Sequence, residues 1–169
     1  MALFEPIFRA LNASGARYVV VGGVATVLHG HARLTADVDV VVDLSPQGSR
    51  AVIDALSAIG LRPRAPVPAS AFADPAARAE WAGEKGMTVF SLWDPSDPMR
   101  EVDLFLEHPM PFDGLWERSV EMTLGDASVR VASLDDLIAL KRLAGRPVDL
   151  QDVEALETIR DRKQVQQGG

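Results

Sequence analysis

Residues 33–43, RLTADVDVVVD, constrain the fold more than any other stretch of the chain. Side chains alternate between the two faces of a strand, so Val38, Val40 and Val42 point one way and Asp37 and Asp39 the other. The valines require a core on their side. The carboxylates sit together at the edge of an apolar sheet, where each raises the cost of ionising the other. A positive charge, supplied by the chain or recruited to it, has to join them.

The neighbouring pattern is that of helices alternating with strands. Leu3, Ile7, Phe8 and Leu11 recur at helical spacing and Gly15 ends that helix. RYVVV is a short buried strand that runs into Gly22 and Gly23, and VATVLHG reads as a short helix starting there. Ser45, Pro46 and Gly60 bound a third helix. Residues 62–86 are rich in proline and alanine, and the expectation is a loop with a short helix around Ala76–Trp81. MTVFSLWD and REVDLFLE form two strands around the turn PSDPM. FDGLWERSVEM holds a short turn or helix leading into a strand, and Gly125 and Asp126 mark the tip of a hairpin.

Two helices close the chain. Ser133 with Asp136 starts the first, with Leu137, Leu140 and Leu143 as its apolar stripe, and Asp149 caps the second. The class is α/β (α+β), with a mixed sheet flanked by helices and followed by C-terminal helices. A single domain is expected over 1–169, with a core of about 16–132, closing helices at 133–162 and a frayed tail at 163–169. There is no internal repeat.

Composition excludes several classes. The net charge of −7 is a poor match for a nucleic-acid coat, so extensive nucleic-acid binding by this chain alone is not expected. The chain has no cysteine, which removes thiolate metal sites and thiol nucleophiles and suits a cytoplasmic setting. The first residues read as an amphipathic helix carrying Glu5, not as a secretion signal, and no apolar run approaches the roughly 20 residues of a membrane span.

The chemistry gathers around three motifs. Gly22 and Gly23 let backbone approach a ligand closely at a strand-to-helix junction, a setting that favours phosphate. Thirteen intervening residues, Val24 to Ala36, then bring the chain to Asp37, with Asp39 two positions on. Asp103 lies between Val102 and Leu104 on a later strand, and if that strand pairs beside the first, three carboxylates converge. Oxygen donors of this kind suit Mg²⁺ or Mn²⁺, and two such ions can clamp an in-line displacement at phosphorus. Alone, a glycine pair or an Asp-x-Asp strand is ordinary. Their joint order and spacing carries the weight.

That order resembles the nucleotidyltransferase (polymerase beta) superfamily on Gly22, Gly23, Asp37, Asp39 and Asp103. The run GGVATVLHGHARLTADVDVVV resembles one branch, the minimal nucleotidyltransferases related to AbiEii-type toxins of bacterial type IV toxin–antitoxin systems, through Arg33, Thr35, Asp37 and Asp39. Lys141, Arg146, Asp149 and Asp152 extend the likeness, although Val148 stands where that branch usually has a second lysine. The resemblance implies the nucleotidyltransferase fold and transfer of a nucleotidyl group from NTP to a hydroxyl acceptor: RNA, protein or small molecule. It implies Asp37, Asp39 and Asp103 as catalytic and metal-binding residues, with Asp103 also accepting the acceptor's proton. Gly22, Gly23, Arg33, Thr35 and Lys141 would bind the NTP phosphates. Many members carry serine at the second glycine, so Gly23 leaves that role to backbone N–H groups. An antitoxin or a second copy of the chain is the expected partner. The alternative is a catalytically idle nucleotide-binding or interaction module of the same fold.

Other residues have plainer readings. His29 and His31 are expected as surface or loop histidines, and His108 has no catalytic part. Lys141 is equally a solvated helix lysine, Arg146 a ligand of helix-end carbonyls, and Asp43 structural. Trp81, Trp93 and Trp116 belong to core or rim.

Overall fold

The computed structural model describes residues 2–167. After a single 3-10 turn, helix α1 (Glu5–Ser14) buries Ile7, Phe8 and Leu11 and ends at Gly15, whose φ of 70° is left-handed. Strand β1 (Tyr18–Val21) runs directly into α2 (Gly22–Leu28). Strand β2 (Val38–Val42) and α3 (Pro46–Ala58) follow, and the Ser45 hydroxyl accepts from the Gly48 N–H to cap α3.

The alanine-rich middle is more ordered than its composition implies. The short helix expected around Ala76–Trp81 is α4 (Pro75–Gly83), and a two-residue strand β3 (Arg62–Pro63) and a 3-10 turn (Ala69–Ala73) stand where loop was expected before it. Aromatic burial drives this order: Phe90 stacks on Trp81 at 5.1 Å and on Phe72 at 5.5 Å between ring centroids. Strands β4 (Val89–Asp94) and β5 (Asp97–Phe105) pair antiparallel through a turn much tighter than PSDPM. Asp94 closes that turn by accepting from the Ser96 N–H and hydroxyl, and Arg100 bonds its other oxygen at 2.7 Å.

Helix α5 (Phe112–Arg118) leads into the hairpin β6 (Val120–Leu124) and β7 (Ala127–Val131), with Gly125 and Asp126 at its tip. The chain closes with α6 (Leu134–Ala144) and α7 (Pro147–Gln167). Ser133 caps α6 as expected. Leu143, however, is 73% exposed, and Ile138 and the buried Lys141 lie on the packed face with Leu137 instead. Helix α7 begins at Pro147, so Asp149 lies inside its first turn, where its carboxylate accepts from the Arg146 N–H. The helix continues through most of the expected tail, of which residues 168 and 169 lie outside the described residues.

The sheet is mixed, with strand order β3-β4-β5-β2-β1-β7-β6. β1 is antiparallel to β2 and parallel to β7, while β2 is parallel to β5. All four residues of β1 are buried, and so is Val41 beside Val38, Val40 and Val42. Helices therefore cover both sides of the sheet centre, and the simple alternation read in β2 holds only at its start. α1 packs on α3 and β7, and α2 lies against β1, β2 and α6. No helix among the described residues is long and apolar enough to cross a membrane.

Candidate active site

The site is built where β2 leaves its loop. Asp37 lies one residue before the strand, not within it as expected, and Asp39 is its second residue. Parallel pairing sets Asp39 directly opposite Asp103 of β5. Both carboxylates are half-buried, and both line a cavity of about 900 Å³ together with Asp37, Gly23, Arg33, Thr35 and Lys141. Gly22 lies behind them. Its φ of 63° is left-handed, and a Cβ there would overlap the Asp39 carboxylate. Gly23 is constrained from another side, since its Cβ would meet the Thr35 hydroxyl. That hydroxyl donates to the Asp37 carbonyl at 3.2 Å and so holds the loop that delivers the acidic pair.

Charge crowding leaves its mark on the acids. Burial pushes the Asp39 carboxyl up to about 6, with help from Asp37 and Asp103, against the weaker pull of the Gly23 N–H and Lys141. Burial also raises Asp103, opposed by the Ser91 hydroxyl, which donates to it at 2.5 Å. Among the described residues no three acidic or histidine side chains are drawn tightly enough to form a ready-made cation cage. The donor set nonetheless fits a hard divalent ion in its chemistry: two facing carboxylates and a third nearby offer only oxygen and carry unneutralised charge.

The opposite wall of the cavity is cationic. Lys141 is buried, and its ammonium donates to Asp152 at 2.7 Å and lies 3.5 Å from Asp149. The Arg33 guanidinium also bonds Asp152, and His31 lies 3.7 Å from it. Arg146 donates to Asp149 at 2.6 Å. Burial pushes the Asp149 carboxyl up, but the hydrogen bonds and charges of Arg146 and Lys141 outweigh it and hold it below its ordinary value. The solvated reading of Lys141 is thus corrected. Arg146 serves a carboxylate and not helix-end carbonyls, and Asp149 is both cap and ion-pair partner.

His29 corrects another expectation, being buried and not a surface group. Its Nε2 donates to the Ala132 carbonyl at 2.7 Å, and burial lowers its basicity. His31 remains partly exposed in the loop. Sequence reasoning missed Ser91, whose role depends on the β4–β5 register that pairs it with Asp103. It also missed the joint hold of Asp152 on Arg33 and Lys141. The spacing of Asp149 and Asp152, three apart on a helix, placed them on one face, but nothing local pointed that face at the loop.

The family model described as "Nucleotidyl transferase AbiEii toxin, Type IV TA system" matches residues 7–161. No curated protein matches the sequence. Among solved structures, the lincomycin-bound lincosamide antibiotic adenylyltransferase LnuA superposes with a TM-score of 0.61 at 16% identity, covering 94% of this chain and 96% of that one. ANT(2")-Ia in complex with adenylyl-2"-tobramycin gives 0.56 at 14% identity, over 98% and 97% of the two chains. A nucleotidyltransferase-like antigen from Paracoccidioides brasiliensis gives 0.57 at 14% identity, over 92% and 73%. At these identities the likeness establishes the shared fold.

Two outcomes follow from the electrostatics. A carboxyl whose folded-state value is raised binds its proton more tightly when folded, so its ionisation destabilises the fold as pH rises through about 4 to 6. Asp39→Asn should therefore raise the melting temperature above about pH 6, leave it unchanged near pH 4, and abolish any Mg²⁺-induced rise seen in the wild type near pH 7.5. Separately, Asp152→Ala strips the acceptor from two cations and should cost about 3–5 kcal/mol in urea unfolding. Asp135→Ala, which breaks the exposed pair with Arg160, should cost less than about 1 kcal/mol.

Proposed function

The chain belongs to the AbiEii nucleotidyltransferase toxin family, and from that premise we propose that it transfers a nucleotidyl group from NTP, with Mg²⁺ or Mn²⁺, to a hydroxyl acceptor as the toxin of a toxin–antitoxin pair. The observation that carries this reading is the facing of Asp39 and Asp103 on neighbouring parallel strands, across one cavity from Arg33, Lys141 and Arg146. Anionic oxygen donors and phosphate-binding cations stand on opposite walls of a space large enough for a nucleotide.

In this reading Asp37, Asp39 and Asp103 hold the divalent ions, which when bound neutralise charge on the phosphoryl oxygens. Asp103, raised by burial, takes the proton of the acceptor hydroxyl. Gly23 lines the cavity and offers its backbone to the triphosphate, while Gly22 makes room for the Asp39 carboxylate. Thr35 brings a hydroxyl to the spot where a side chain at position 23 would project, so the group that serine supplies elsewhere comes from the loop. Arg33 and Lys141 face the departing pyrophosphate, with Asp152 fixing both in place. The partner is an antitoxin or a second copy, and the setting is the cytoplasm.

A second reading, an idle nucleotide-binding module, has one observation in its favour: Arg33 and Lys141 already spend charge on Asp152. Incubation with α-labelled NTPs, Mg²⁺ and a cell extract separates the two. The enzyme reading expects label on an RNA, protein or small molecule, reduced at least about a thousandfold in Asp39→Ala and in Asp103→Asn. A wild type that binds NTP without transferring label supports the idle module. One that does neither contradicts both.

A further inference from the structure

Strand β4 reads VFSLWD, and Ser91 is its one polar side chain before the closing aspartate. Burial alternates along it: Phe90 and Leu92 are buried, while Val89, Ser91 and Trp93 lie half-buried on the opposite face. Asp103 shares that face, because Ser91 is its register partner on β4. Asp39 is its partner on β2. Ser91, Asp103 and Asp39 thus form one row across three neighbouring strands.

The middle member of that row is pushed from one side and held from the other. The Asp39 carboxylate repels it across the β2–β5 pairing. On the β4 side, the Ser91 hydroxyl donates to Asp103 Oδ1 at 2.5 Å. No other side chain among the described residues hydrogen-bonds the Asp103 carboxylate. The Arg64 guanidinium, whose charge acts on Asp103, is committed to both oxygens of Glu101 at 2.9 and 2.6 Å and stacks over Trp93. Ser91 itself is well anchored. Its carbonyl accepts from the Arg64 N–H at 3.0 Å, and Phe90 and Leu92 on either side are locked in the core. Asp103 lines the main cavity and Ser91 does not, so the serine stands behind the carboxylate and outside the substrate's space.

We propose that Ser91 is a positioning residue of the active site: by pinning Oδ1 toward β4 it stops the Asp103 carboxylate from turning, holds it apart from Asp39, and leaves Oδ2 for the divalent ion and the acceptor hydroxyl. This inference rests on the nucleotidyl-transfer reading above. Without that bond the carboxylate rotates about its Cβ–Cγ axis and has to be ordered anew whenever an ion arrives. Donors that orient a metal ligand in this way are worth about ten- to a hundredfold in metal affinity.

Electron paramagnetic resonance titration of Mn²⁺, with the full chain and a non-hydrolysable NTP, reads the effect without turnover. Ser91→Ala should weaken Mn²⁺ binding about tenfold or more, and Ser91→Thr, which returns the hydroxyl, should stay within about threefold of wild type. In an Asp103→Ala background the same Ser91→Ala change should cost less than about twofold, since the group it positions is gone. Where Ser91→Ala does not fold, Ser91→Thr against Ser91→Val makes the comparison at nearly equal shape with two strand-forming residues. The inference is overturned by wild-type Mn²⁺ affinity in folded Ser91→Ala or Ser91→Val, by Ser91→Thr binding as weakly as either, or by an undiminished loss in the Asp103→Ala background. A nucleotidyl group found by mass spectrometry on Ser91 after incubation with NTP and Mg²⁺ overturns it too, because the hydroxyl is then an acceptor. If the wild type binds Mn²⁺ no tighter than Asp39→Ala does, the nucleotidyl-transfer reading itself has failed, and the role of Ser91 falls with it.

Discussion

Everything at this site follows from one backbone pairing. Because β2 and β5 run parallel with Asp39 opposite Asp103, two carboxylates face each other on neighbouring central strands of the sheet, between pairs of buried apolar residues. Valines on both strands fix that register, since a one-residue slip would bury the acids and expose the core. The sheet therefore forces a charge concentration that the fold alone does not neutralise. The upward shift of both carboxyls is the electrostatic trace of that conflict. Such local conflict, held in place by a well-packed surround, is where function is expected.

The C-terminal hairpin supplies the opposing charge. α6 and α7 contribute Lys141, Asp149 and Asp152, and the loop before β2 contributes Arg33. Buried ion pairs of this kind add little net stability over an apolar core, yet leaving one partner uncompensated is costly. The network thus ties the hairpin to the loop in one arrangement and keeps three cations on the cavity wall. Gly22 and Thr35 finish the loop, one by yielding space to Asp39 and the other by bonding the Asp37 carbonyl.

Much of this was legible in the linear chain. The valine–aspartate alternation, the glycine pair and the strand around Asp103 marked the sheet and the acids, because each signal is local and periodic. What escaped was tertiary. Ser91 becomes a partner of Asp103 only through the β4–β5 register. Leu143 looked like core by spacing, but the packed face of α6 runs through Lys141, whose charge is matched by residues on the next helix. His29 looked like a loop residue, yet the carbonyl that accepts from it comes from Ala132, over a hundred positions away. In residues 62–86 the short helix was legible, but β3 and the 3-10 turn were not; the segment is held by Phe90 stacking with Trp81 and Phe72, contacts that no local propensity encodes.

The central claim is that Asp39 and Asp103 jointly take a divalent ion facing a nucleotide held by the Arg33–Lys141 wall. Anomalous diffraction from crystals grown with Mn²⁺ and a non-hydrolysable NTP tests it most directly. The account predicts a manganese peak coordinated by oxygens of both aspartates, with the terminal phosphates directed at Arg33 and Lys141. A nucleotide bound elsewhere, or manganese that touches neither aspartate, would contradict it.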